Sequence, residues 1–229
     1  MNTPETKPPL NPWSIWIPII IIMLGGVVLY NYIVYQSMRN DKDRPPFMTQ
    51  IRSDLHLVER SGKKVNLSDV GGKIILAAHF YSTCPSGCSV IIDEMKSIYD
   101  QYAKNDPRIQ FISFAIDPGD TPERLKEAAE GYGITGDNWW FVNGDQPTIR
   151  TYLNLKMKFF KLEEVPEKER TSPIDKYRHD MRIALIDHEG HLRGMYEVMN
   201  PDPEFRQIYQ KKLRKDLEYL LSQLPPAKP

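Results

Sequence analysis

From Trp13 to Tyr35 the chain runs for 23 residues without a charged side chain, as WSIWIPIIIIMLGGVVLYNYIVY. At ~1.5 Å of rise per residue such a helix is roughly 34 Å long, enough to cross a hydrocarbon layer ~30 Å thick with slight tilt. Trp13 and Trp16 at one end, and Tyr30, Tyr32 and Tyr35 at the other, suit the two interfacial belts of a bilayer. Pro18 and the Gly25-Gly26 pair are tolerated in a spanning helix. A helix apolar on every side for this length is a poor core element in a 229-residue protein. The run is also too long for a cleaved signal peptide, and no small-x-small site follows it. The first twelve residues contain no Arg and form no basic amphipathic transit peptide. The expectation is a tail over 1–12 and one transmembrane anchor over 13–35, in a bacterial membrane protein.

Charge does not decide the side. Lys7 precedes the span, whereas Arg39, Lys42 and Arg44 follow it with Asp41 and Asp43 interspersed. A count of basic residues alone would leave the C-terminal part in the cytoplasm, but long domains translocate largely regardless of such counts.

After the span, QSMRNDKDRPPFMT (36–49) reads as a polar linker with a Pro-Pro pair. The rest has a globular composition, 41% hydrophobic and 26% charged over the whole chain. Lys plus Arg equals Asp plus Glu at 30 each, so no global field favours nucleic acid, and no nucleic-acid partner is expected.

Two short strands are predicted around Ser61-Gly62, and a strand buried on both faces over Lys73–Tyr81. A helix is predicted from Pro85 to about Tyr102 and a second buried strand over Ile109–Ile116. Asp120-Thr-Pro-Glu123 reads as a capping box for a helix to about Tyr132. Trp139–Val142 reads as a strand, and Asp145 as the cap of a helix over Gln146–Leu155. Residues 156–178 lack periodicity and read as a long loop. A hairpin follows, Arg182–Asp187 and Leu192–Val198, turning at His188-Glu189-Gly190. An amphipathic helix over Pro203–Leu224, with Phe205, Ile208, Tyr209, Leu213, Leu217, Leu220 and Leu221 on its apolar side, closes a domain spanning 50–224 before a short tail, 225–229. The basic run 211–215 is expected on that helix's solvated face. Strands alternating with helices, and cysteines where a strand meets a helix, fit a thioredoxin-like α/β sandwich.

The chain has two cysteines, Cys84 and Cys88, within CPSGC. Two cysteines in one short motif are a site rather than a disulfide framework. At a helix N-terminus the macrodipole should lower a thiol pKa toward neutral, making a nucleophile or a soft-metal ligand. Residues i and i+4 of a helix share a face, within reach of a disulfide or of one shared ion. Three readings stand: a structural disulfide, which over so small a loop adds little stability; a dithiol redox pair; and a metal site.

CPSGC after an apolar strand, AIDPGDTPERL (115–125) and RHDMRIALIDHEGHL (178–192), in this order, resemble the SCO/SenC proteins, thioredoxin-fold copper chaperones for the copper centre of cytochrome c oxidase. The resemblance covers roughly residues 48–224, and the family's usual anchor is matched as well. It implies Cys84, Cys88 and His179 as copper ligands, with Asp117 near the site. It also implies a cytochrome c oxidase subunit as partner, and an inner-membrane location with the domain on the periplasmic side. Ser86 and Ser89 stand where the family usually has an acidic residue and a proline. The other histidines read as structural, His56 and His79 in strands and His188 and His191 at the hairpin turn.

Two thiolates suit Cu(I), and an added neutral imidazole makes a site that also holds Cu(II). Only the dithiol form binds the ion, so loading couples to redox state and pH. The alternative is a thiol-disulfide oxidoreductase in which Cys84 and Cys88 are the catalytic redox pair and keep a partner's copper-ligand cysteines reduced. A third reading, from another class, is an assembly scaffold that only docks a partner.

Overall fold

A computed structural model describes residues 11–40, 43–84, 88–170 and 172–226. The chain divides into two compact units, Met1–Arg44 and Pro45–Pro229. In the first, helix α1 spans Trp13–Asn40, and its segment Trp13–Gln36 is long and apolar enough to cross a membrane.

The second unit is a layered α/β sandwich. Its strands are β1 (Thr49–Gln50), β2 (His56–Glu59), β3 (Lys64–Asn66) and β4 (Ile74–Phe80), then helix α2 (Cys88–Ile98). β5 (Ile109–Ala115), α3 (Pro122–Gly131), β6 (Trp139–Asn143) and α4 (Gln146–Leu155) follow. β7 (Glu163–Glu164) and β8 (Tyr177–Arg178) form a small separate hairpin, and β9 (Ile183–Ile186), β10 (His191–Tyr196) and α5 (Pro203–Ser222) complete the unit. The main sheet runs β1-β10-β9-β4-β5-β6-β2-β3, with β4, β5 and β6 parallel and β9 and β10 antiparallel.

β4 and β5 are buried at every residue because both faces of the sheet are covered. Ile74, Leu76, Ala78 and Phe80 pack in one core with residues of α2, α3 and α5. Ile75, Ala77 and Tyr81 point the other way, into a core shared with α4 and Cys88. This alternation decides which residues of β4 face the cysteines.

Several boundaries differ from the reading of the sequence. α3 is capped by Thr121, whose hydroxyl accepts from Arg124 N, and not by Asp120, which faces the turn after β4. The stretch 156–178 is not a bare loop: it buries Met157, Phe159 and Val165 and carries the β7–β8 hairpin. Phe205 and Ile208 are about half exposed, so the buried stripe of α5 is carried by Leu213, Leu217 and Leu220 further along. Residues 45–49, read as linker, belong to the second unit. The buried Arg193 guanidinium donates to Pro46 O at 3.2 Å and Pro45 O at 2.5 Å, and to Asp187 Oδ2 at 2.9 Å.

Arg193 sits at a bulge in β10, which shifts the register between Leu192 and Gly194. A Cβ at Gly194 would overlap the Tyr196 ring, and that ring is buried and pinned by its hydroxyl, which donates to the buried Asp216 at 2.6 Å. Gly194→Ala is therefore expected to destabilise by about 2 kcal/mol, lowering Tm by roughly 4–8 °C on a thermal melt. A variant melting within about 1 °C of the parent would show that the Tyr196 contact yields freely.

Candidate metal centre

β4 delivers the chain to one edge of the sheet at Tyr81. There the buried Asp120 carboxylate gathers the turn, accepting from Ser82 N at 3.1 Å and Ser82 Oγ at 2.5 Å. Cys84 follows, half-buried, its N–H donating to Tyr81 O at 3.2 Å. Residues 85–87 lie outside the described residues. Cys88 then opens α2 and is buried. Cys84 itself is not helical, whereas Cys88 lies in α2, and the predicted helix start at Pro85 falls outside the described residues.

His179 arrives from the far side of the sequence, just before β9. Its Nε2 lies 3.7 Å from Cys84 Sγ and 3.7 Å from Cys88 Sγ. Metal–sulfur and metal–nitrogen bonds of about 2.3 and 2.0 Å, opened at 109–120°, set S and N about 3.5–3.7 Å apart. Both nitrogen–sulfur separations therefore match what one ion requires, and all three donor atoms lie within 4.8 Å of one another. His179 Nδ1 lies 3.0 Å from Asp180 O, an arrangement in which Nδ1–H donates and the Nε2 lone pair faces the sulfurs.

The imidazole is held firmly. The Asp180 carboxylate, without exposed surface, accepts from Arg182 N and Nε at 2.9 Å, from Arg182 Nη2 at 2.5 Å and from Phe160 N at 2.7 Å. Burial raises the Asp180 pKa, but these donors outweigh it and leave the carboxyl below its usual range. Arg182 in turn covers the Phe160 ring at 3.8 Å. Asp117 accepts from Lys176 at 2.9 Å, tying the chain beside β8 to the end of β5.

The Cys88 thiol departs from expectation. Rather than lowered by the helix terminus, the Cys88 pKa is raised, first by a hydrogen bond with Cys84 and then by burial. The dipole is outweighed because the nearest partner is another sulfur, and an anion there would lose water. A cation entering the site must displace that proton.

Aromatic rings wall the site. Tyr81 meets the His179 ring edge-on at 5.4 Å, and Tyr177 packs edge-on against Tyr81 at 5.7 Å. His79, 4% exposed, stacks on Phe159 at 4.5 Å and lies 6.0 Å from the His179 ring. Burial pushes the His79 pKa down to about 3, with His179 adding to the effect, so the ring is neutral. Neither of its nitrogens has a hydrogen-bond partner among the described residues, an arrangement that costs about 1–3 kcal/mol per group. A cleft of about 290 Å³, lined by Phe160, His179, Asp180, Met181 and Met199, opens beside the imidazole. Tyr81 and His79 were not singled out by sequence as site residues. The period-2 alternation of β4 toward the cysteines was the signal available for both.

His188 and His191 lie at the hairpin turn as read. His191 approaches Asp187 and Glu189 at 3.3 and 3.4 Å, but Arg193 supplies Asp187 with its counter-charge.

The SCO1/SenC family model matches residues 43–214. A SCO1 protein homolog of Bacillus subtilis (strain 168) is 27% identical over 147 residues, 63% of this chain and 72% of its own. Among solved structures, BsSco, described as a member of the Sco family of cytochrome c oxidase assembly proteins with a disulfide switch, superposes with a TM-score of 0.57 at 21% identity, covering 77% of this chain and 99% of that one. Bradyrhizobium japonicum ScoI with copper bound gives 0.55 at 20% identity, covering 71% of this chain and 99% of that one. At these identities the structural likeness shows the thioredoxin-like fold that the two structures share with this chain.

Proposed function

The chain belongs to the SCO1/SenC family, and we propose that it is a membrane-anchored copper chaperone that holds Cu(I) or Cu(II) through Cys84, Cys88 and His179. Its acceptor would be a cytochrome c oxidase subunit, with α1 as the inner-membrane anchor and the domain on the periplasmic side. The observation that carries the reading is the 3.7 Å separation of one imidazole nitrogen from two sulfurs. Two thiolates satisfy soft Cu(I), and the added nitrogen extends the site to Cu(II). Copper bound to a relative of the same fold supports the choice of metal. The cleft beside His179 gives an incoming ligand of the acceptor a route to the ion.

His179→Ala is expected to weaken Cu(II) about 100-fold, and Cu(I) by less than about tenfold, in competition titrations followed by absorption. Equal losses for both oxidation states would remove His179 from the ligand set.

The contact between the two sulfurs favours a second reading, in which Cys84 and Cys88 reduce a partner's disulfide, passing on two electrons and two protons and becoming a disulfide themselves. A Cys88→Ser variant that traps no mixed disulfide with a copper-ligand dithiol peptide in its oxidised form would count against it.

A further inference from the structure

We propose that His79 is a second imidazole ligand of the same centre, engaged when the ion held is Cu(II). The inference rests on the copper reading above and deepens it. β4 is a strand, so its side chains alternate, and His79 shares the face of Tyr81, which packs in one core with Cys88. His79 is almost wholly buried, yet both its ring nitrogens lack partners among the described residues. Buried polar groups without partners are rare in native folds, and an ion is one of the few things that accounts for them. Packing accounts for the ring, since it stacks on Phe159, but phenylalanine would stack as well and without the unmet nitrogens.

Distance permits the assignment. Each imidazole on an ion sets its ring centre about 3.2 Å from that ion, a metal–nitrogen bond of about 2.0 Å plus the reach to the ring centre. Two rings on one ion therefore have centres at most about 6.4 Å apart. The His79 and His179 rings are 6.0 Å apart, inside that ceiling. The chemistry also fits. Cu(I) is content with soft thiolates, whereas Cu(II) prefers four-coordinate, tetragonal sites with nitrogen among the donors. Cys84, Cys88 and His179 supply three donors, and His79 would be the fourth. The charged groups whose fields reach His79 are Asp180 and Arg182, and they engage each other in an ion pair.

The experiment uses the full chain in detergent micelles, loaded with Cu(II) and read by pulsed electron paramagnetic resonance, which counts coordinated imidazoles through their remote nitrogens. Two imidazoles are expected in the wild type and one each in His79→Phe and His179→Ala. His79→Phe should also weaken Cu(II) about 10–100-fold while Cu(I) stays within about threefold. A wild-type count of one, with thiolate-to-copper absorption present, overturns this inference and leaves the chaperone reading standing; that count needs no variant to fold. Two imidazoles that persist in folded His79→Phe overturn it equally. Absence of any bound Cu(II) or Cu(I) overturns the chaperone reading, and this inference with it.

Discussion

Cys88→Ala is expected to abolish the thiolate-to-copper charge-transfer band and to remove copper binding at micromolar protein. Cys88 is the buried member of the pair, and its sulfur reaches both Cys84 and His179 Nε2. Without it, one thiolate and one imidazole remain, and the ion loses the second soft donor that Cu(I) depends on. A loss of about 10³-fold or more in Cu(I) affinity, about 4 kcal/mol, follows if the missing bond is not replaced. The fold should survive, because a thiol-to-methyl change in the core costs on the order of 1 kcal/mol. The measurement is a Cu(I) titration of reduced protein against a competing chelator, with circular dichroism as the check on folding. A folded variant that still takes up one copper with the parent's affinity would mean that the sulfurs are not the ligands.

The second large effect concerns stability. Asp180→Ala removes a carboxylate with no exposed surface and strands its donors, the Arg182 guanidinium, Arg182 N–H and Phe160 N–H. Breaking a buried pair by deleting one partner costs about 3–5 kcal/mol. Arg182 retains some exposure, at 15%, so the lower end applies. For a domain of this size that is a fall in Tm of roughly 6–12 °C. The loss should be accompanied by weaker Cu(II) binding, because the peptide next to His179 loses its anchor to the Phe160 segment. A melting point within about 2 °C of the parent would refute the claim that this pair sets the position of the imidazole.

What the sequence made legible was whatever local physics dictates. The run Ile74–Phe80, apolar except for His79, could only be a doubly covered strand, and Asp145 with its proline-bearing first turn marked the start of α4. Gly62, at φ +84°, sits in the predicted turn between β2 and β3. The bringing together of Cys84, Cys88 and His179 was implied by the resemblance to the SCO/SenC proteins, and no periodicity could have supplied it. What stayed hidden depends on partners remote along the chain. β1 has two residues and exists because β10 offers it an edge. Asp120 looked like a cap, and it serves Ser82 across the sheet instead. The Cys88 thiol was expected to acidify at a helix terminus, yet burial and a neighbouring sulfur push it the other way. His79 reads as one more strand residue until the partnerless state of its nitrogens is seen.

The donors that meet at this centre are 91 and 95 residues apart along the chain. An ion bonded to all three staples two distant stretches of polypeptide, so global unfolding and loss of cargo become one event. At free metal 100-fold above its Kd the filled protein gains about 2.7 kcal/mol over the empty one. The empty form is then the one a quality-control protease finds first. Under the copper reading proposed above, persistence of the folded protein would itself report occupancy.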